Sequence, residues 1–122
     1  MLEVTELKLV EEPKKPLTVV WATADAEERL LKSGDFLTKL RRYATNGFKN
    51  YMGTRPKPIR PEWDGVYRIG DGNRLRAMGF FDGNDFIIIG CCKKKGKGLG
   101  AKCTNLVKKC AKIKKDKEWK RA

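Results

Sequence analysis

The chain has 122 residues, a common size for a single domain, so neither a two-domain enzyme nor a repeat solenoid is expected. Lysine and arginine outnumber aspartate and glutamate by 28 to 15, and the formal net charge of +13 favours a polyanionic partner. The chain contains no histidine, which excludes the histidine-dependent triads and leaves catalysis to lysine, arginine, tyrosine, cysteine or carboxylates.

The first residues carry no signal for secretion or membrane insertion. Met1 to Val10 lacks the basic and apolar regions of a signal peptide, and no apolar run in the chain approaches the roughly 20 residues of a membrane helix. We therefore expect a cytoplasmic protein with no membrane partner.

The first half of the chain predicts one strand and two helices. Leu17 to Trp21 is a β-branched run typical of a strand, and Ala24 to Lys32 predicts the helix that follows it. Asp35 is placed to cap a second helix, which Asn46-Gly47 ends. Three prolines between residues 53 and 63 then predict an extended cationic connection without regular hydrogen bonding.

The second half predicts a three-stranded meander and a final helix. The strands are expected at Val66 to Ile69, Arg74 to Phe81 and Phe86 to Cys92. Because the last of these is apolar throughout, it is expected at the centre of the sheet, with helices packed on one side of it. After a glycine-rich stretch, apolar residues recur at helical spacing from Cys103 to Ile113 and predict an amphipathic helix.

Cysteine spacing gives no metal signal. Cys91, Cys92, Cys103 and Cys110 form no CxxC pair, so neither a zinc site nor another cofactor is expected. We expect the four thiols to be reduced, as is usual in the cytosol.

The turns decide which cations share a face of the meander. A two-residue turn at Gly83-Asn84 pairs Arg76 with Cys91 and Arg74 with Lys93. A three-residue loop at 71–73 sets Arg68 opposite Arg76, whereas a four-residue loop sets Tyr67 there. The first register predicts one face that carries Arg68, Arg74, Arg76 and Lys93, with Met78 and Phe80 extending the same side.

Basic charge is concentrated in the body and tail of the chain. Residues 1–28 hold three basic and seven acidic side chains, whereas residues 93–122 hold 13 and two. The density of charge in the tail suits either phosphate binding or disorder. The cations that share a face of the sheet also suit a solvated face that only keeps the protein soluble. The lysine- and glycine-rich stretch from Lys93 to Gly100 lacks the GxxxxGK[ST] order, so an NTPase is not expected.

Five segments carry a family resemblance. They are Phe36 to Leu40, Gly65 to Ile69, Arg74 to Met78, Phe80 to Gly83, and Ile87 to Lys95. In order and spacing, residues 36 to about 111 resemble the RelE/HigB toxin superfamily, in particular its phage-derived HigB-like branch.

The resemblance implies an α+β fold of RelE type. Its elements follow the order β-α-α-β-β-β, with an antiparallel meander sheet, helices on one face and a C-terminal basic helix. Residues 1–122 are expected to form one such domain, with residues 1–16 as an N-terminal extension and residues 93–122 as the basic loop and the last helix.

The resemblance also implies a function. The protein is expected to be the toxin of a type II toxin-antitoxin system, a metal-independent endoribonuclease that cleaves mRNA on the ribosome and is neutralised by a cognate antitoxin protein. Arg68 and Arg76 are expected to bind the phosphate during catalysis. Proton transfer is expected from one residue of a lysine run, Lys93, Lys94 or Lys95. Further RNA contacts are expected from Arg74, Lys97, Lys102 and Tyr67.

Two other functions stay open at this point. The same cations suit a non-catalytic nucleic-acid-binding protein, whose affinity would depend on salt. The superfamily also includes ParE-like proteins, which inhibit DNA gyrase by contact.

Overall fold

The elements of the chain come from a computed structural model that describes residues 1–52, 58–70, 74–94 and 98–122. Within these ranges the helices are α1 (Ala24–Leu31), α2 (Gly34–Asn46) and α3 (Ala101–Asp116), and a 3₁₀ turn covers Phe48–Tyr51. The strands are β1 (Leu2–Glu6), β2 (Val20–Ala22), β3 (Ile59–Trp63), β4 (Val66–Gly70), β5 (Leu75–Asp82), β6 (Asp85–Lys93) and β7 (Trp119–Arg121).

The strands form one mixed sheet in the order β3-β4-β5-β6-β2-β1-β7. The run from β3 to β6 is antiparallel, so the predicted meander is confirmed. At its far side β2 joins β6 in parallel, and β1 and β7 form a second parallel pair. The α+β class is therefore confirmed, while a RelE-like topology stays a proposal.

Helices cover both faces of this sheet. On one face α1 and α2 pack over a core that includes Phe36, Phe48 and Phe86. On the other face α3 packs over Met78, Phe80 and neighbouring residues. The helices predicted on one face are α1 and α2, and α3, the predicted C-terminal basic helix, covers the other face. Burial on both sides explains why β6 is apolar throughout.

Three strands were not predicted. In the supposed N-terminal extension, β1 pairs with β2 and β7, and its Val4 is fully buried. The supposed unpaired connection contains β3, which forms a hairpin with β4. Pro61 is accommodated because β3 lies at the sheet edge, where a strand needs partners on one side only. The short β7 follows α3 and pairs with β1.

The predicted register is correct at the β5–β6 turn and wrong beyond it. Phe81 pairs with Phe86, as the two-residue turn requires. Between Met78 and Gly79 the pairing shifts by one residue, because Ile89 is an extra residue in β6. Arg76 therefore pairs with Cys92 instead of Cys91, and Leu75, not Arg74, pairs with Lys93.

This β-bulge lies next to a close contact with α3. A Cβ atom on Gly90 would lie 2.8 Å from Cδ1 of Leu106, so α3 packs directly on the backbone of β6 at this point. Bulges bend a strand and redirect the side chains beyond them. Here the bulge turns Lys93 away from the face that carries Arg76.

The cysteine prediction needs correction as well. Cys92 and Cys103 form a disulfide that joins the end of β6 to the first turn of α3, with the Cα atoms 5.4 Å apart. Cys91 and Cys110 are free and buried. The pairing brings together residues from two elements, which sequence spacing alone does not reveal.

Candidate nucleic-acid interface

Three arginines lie side by side on the face of the sheet that α3 partly covers. Arg60 of β3 pairs with Arg68 of β4, and Arg68 pairs with Met78 of β5. Because side chains alternate along a strand, Arg76 projects to the same face as Met78. We call Arg60, Arg68 and Arg76 the arginine row.

Neither hairpin register considered above is the observed one. Arg76 pairs with Gly70, which displaces the pairing by two residues from the register that sets Arg68 opposite Arg76. A displacement by two residues preserves the face of every side chain. Arg68 and Arg76 therefore share a face as expected, in diagonal positions on neighbouring strands.

Glu62 pairs with the middle arginine of the row. Nε of Arg68 lies 3.0 Å from Oε1 of Glu62, and both side chains are less than one fifth exposed. Burial lowers the pKa of Arg68, Glu62 opposes that change, and Arg76 and Arg60 add to it by repulsion. An arginine nevertheless stays protonated near neutral pH, so the site holds charge that favours an anion.

One end of the row adjoins the segment that leads into α3. The Nη1 atom of Arg76 donates a hydrogen bond to the Gly98 carbonyl at 3.3 Å. Nearby, the backbone N–H of Lys94 donates to the Arg74 carbonyl at 2.7 Å. Arg74, Arg76 and Lys94 are thus gathered where β5 begins and β6 ends.

The other predicted site residues are distributed differently. Lys93 is exposed and pairs with Leu75, which packs on the α1/α2 core, so Lys93 lies on the face opposite the arginine row. Tyr67 also lies on that opposite face, where its ring packs edge-on against the Phe81 ring with the ring centroids 5.3 Å apart. Lys102 is exposed in the first turn of α3. Predicted residues Lys95 and Lys97 lie outside the described residues.

Met78 and Phe80 continue the face of Arg76 along β5 but are buried. Met78 is fully buried and Phe80 is 1% exposed, because α3 covers both. These side chains provide the core under α3, so they offer no docking surface to a partner.

Sequence reasoning missed Arg60 and Glu62. Both lie in the proline-rich stretch that was interpreted as a connection. The alternation of Ile59, Pro61 and Trp63 with these two polar residues has the period of a strand and was the available signal. Only the hairpin with β4 places Arg60 beside Arg68.

Comparisons with protein-family models, curated proteins and solved structures gave no significant match. Among the described residues, no helix is long and apolar enough to cross a membrane. The same part of the chain contains no group of three histidine, cysteine, aspartate or glutamate side chains arranged to hold a metal ion. Functional inference for this chain therefore depends on its own geometry and charge.

Proposed function

We propose that the protein binds RNA through the arginine row and cleaves it, acting as a ribosome-associated toxin of the RelE/HigB type. The observation that carries this proposal is the placement of Arg60, Arg68 and Arg76 on one face of three adjacent strands. Three guanidinium groups on one face suit the closely spaced phosphates of RNA, because an arginine stays charged and forks onto phosphate oxygens.

RNA supplies its own nucleophile for the proposed reaction. The ribose 2′-oxygen attacks the adjacent phosphorus, and its proton passes to a base. The bond to the 5′-oxygen then breaks, and that oxygen accepts a proton. Arg68 and Arg76 stabilise the extra negative charge on the phosphate oxygens, while Lys94, beside Arg74, transfers a proton.

One observation favours a second function, RNA binding without cleavage. Lys93, the first lysine of the expected catalytic run, lies on the opposite face from Arg76. Binding requires only the cations, whereas cleavage also requires a proton donor and acceptor next to the bound phosphate. A ParE-like inhibitor of gyrase would differ from both because its activity would leave RNA intact.

A pair of variants tests the proposed site. Arg76→Ala should slow RNA cleavage about a hundredfold, because losing one charged contact to a transition-state phosphate costs roughly 3 kcal/mol. Lys93→Ala removes the same charge from the opposite face and should change the rate less than about threefold. The measurement is the rate of cleavage of mRNA with and without ribosomes, for variants with unchanged far-UV circular dichroism.

Mapping the RNA ends separates the alternatives. Products with 2′,3′-cyclic phosphate and 5′-hydroxyl ends support the proposed reaction, and 3′-hydroxyl ends indicate metal-assisted hydrolysis instead. Intact RNA that is still bound in an Arg76-dependent way indicates the non-catalytic function. Equal loss of cleavage in Arg76→Ala and Lys93→Ala would contradict the assignment to the arginine row.

The proposal includes a protein partner. An inhibitor of a toxin with this excess of basic charge is expected to carry complementary negative charge. We therefore propose a cognate antitoxin with an acidic segment. Bound antitoxin should block RNA access, and full cleavage activity at saturating, bound partner would refute this part of the proposal.

A further inference from the structure

Two open clefts adjoin at the end of the sheet farthest from Arg76. One cleft, of about 470 Å³, is lined by Phe81 and Trp119 among other residues. The second, of about 490 Å³, is lined by Phe81 and Tyr67. Both clefts are lined by Phe81 and by Lys114 of α3, and we call the two clefts together the aromatic groove.

The groove carries positive charge that the described residues leave unneutralised. Lys114 and Lys117 line it, are exposed and form no ion pair with any residue in the described ranges. The Asp82 carboxylate in the same lining is held by Arg121, whose Nη2 lies 2.8 Å from its Oδ2. At the other end of the groove, Nζ of Lys49 lies over the Phe81 ring, 5.4 Å from its centroid.

The chemistry of the lining indicates the kind of ligand. The apolar part consists mostly of aromatic rings, with Met52 as the aliphatic exception. Flat rings bordered by lysines suit stacked bases and their phosphates. We propose that the aromatic groove binds single-stranded RNA, with bases against Phe81 and Trp119 and phosphates at Lys114 and Lys117.

This groove is a site separate from the arginine row. Phe81 follows Arg76 by five positions along β5, which corresponds to about 17 Å of extended strand. The inference depends on the proposed RNA-binding function, and it adds a second contact that holds the RNA on one side of the proposed site of cleavage. The two sites use different residues, so variants can test them independently.

Binding of a fluorescein-labelled 12-nucleotide oligouridine, measured by fluorescence anisotropy on the full chain, tests the groove. The double variant Lys114→Gln/Lys117→Gln should bind about tenfold more weakly. Its plot of log affinity against log salt should be less steep by roughly 1.4, because two phosphate contacts are lost.

The chain offers a matched control on the same helix. Lys108 and Lys112 are exposed in α3 and lie on the other side of the helix from Lys114 and Lys117. The variant Lys108→Gln/Lys112→Gln removes the same charge and should keep affinity within about twofold. Equal losses in the two double variants would overturn the proposal.

A second probe separates base stacking from charge. An abasic oligonucleotide of the same length keeps the phosphates and lacks the bases, and it should bind at least fivefold more weakly than oligouridine. Equal affinity for the two would overturn base stacking in the groove. A polyglutamate peptide that binds as tightly as oligouridine, with the same dependence on Lys114 and Lys117, would reassign the groove to a protein partner and overturn the proposal.

The arginine row serves as the last comparison. If Arg68→Gln/Arg76→Gln weakens oligouridine binding and the groove variant does not, the groove proposal fails and the proposed function stands. If only the groove variant weakens binding, the groove proposal stands and the function proposed for the arginine row fails.

Discussion

At the scale of single residues, one buried hydroxyl connects α1 to β6. Oγ1 of Thr23 accepts a hydrogen bond from the Ala26 N–H at 3.3 Å and so caps α1. The same hydroxyl donates to the Ile89 carbonyl at 2.9 Å, at the extra residue of the bulge. The backbone N–H of Thr23 donates to the Ile88 carbonyl at 3.1 Å. Thr23 therefore fixes the start of α1 against the irregular part of β6.

Replacing this residue should destabilise the protein measurably. We expect Thr23→Ala to lower the free energy of unfolding by about 2 kcal/mol, since it removes a helix cap and leaves the buried Ile89 carbonyl without its side-chain donor. Thr45→Ala is the control, because Thr45 is exposed and its hydroxyl donates only to Arg41 within α2. Urea denaturation measures both variants, and equal effects would contradict this role of Thr23.

The free thiols also lead to a prediction at this scale. Burial raises the pKa of both Cys91 and Cys110 to about 12 from an ordinary value of 9.0. Between these values the unfolded chain releases thiol protons that the folded protein retains, so folding stability should decrease as the pH rises above 9. The variant Cys91→Ala/Cys110→Ala should show a smaller decrease over this range, measured by urea denaturation at several pH values.

At the scale of elements, the bulge between β5 and β6 depends on close backbone contacts. A Cβ atom on Gly79 would overlap the carbonyl of Ile87 and lie 2.9 Å from the Phe86 ring. Since these atoms belong to the central strand, they cannot move without breaking the pairing of β5 with β6. Gly79 therefore permits the shift in register that places Arg76 opposite Cys92.

Alanine at this glycine should be poorly tolerated. We expect Gly79→Ala to lower the free energy of unfolding by about 3 kcal/mol through overpacking in the core. Gly34→Ala, in the first turn of α2, introduces the same methyl group where no atom lies within 4 Å, and it should leave stability unchanged or raise it slightly. Thermal denaturation compares the two, and a stable Gly79→Ala protein would contradict the close contact.

At the scale of the whole molecule, the two ends of the chain complete the sheet together. The parallel pair of β1 and β7 is anchored by Arg121, which binds the carboxylates of Asp82 and Asp85 at 2.8 and 3.1 Å. Its guanidinium also lies over the rings of Trp21 and Trp119, 5.2 and 5.1 Å from their centroids. Arg121 thus connects the last strand to the β5–β6 turn and to β2.

Two neighbouring cations allow this connection to be tested. Arg121→Ala should lower the free energy of unfolding by about 1.5 kcal/mol, because it removes two ion pairs and two aromatic contacts. Lys120→Ala removes only the exposed pair with Glu3, at 3.4 Å, and should cost less than about 0.5 kcal/mol. Guanidinium titration distinguishes them, and equal stabilities for the two variants would refute the anchoring role of Arg121.

Local patterns in the sequence determined the helices, the meander strands and the β5–β6 turn, because periodicity and turn residues act within a few positions. The apolar run from Phe86 to Cys92 likewise indicated a central strand. Local patterns also predicted that Arg68 and Arg76 share a face. This prediction is correct although the predicted register is not, because a displacement of two residues keeps every side chain on the same face.

Tertiary structure decided the rest, because it depends on contacts between distant segments. Packing of Leu106 on Gly90 is associated with the bulge that moves Lys93 to the other face, and the pairing of β3 with β4 places Arg60 in the row. The disulfide between Cys92 and Cys103 and the groove around Phe81 also join elements far apart in the chain. Residue spacing does not predict such contacts, because each of them forms only when the helices pack on the sheet.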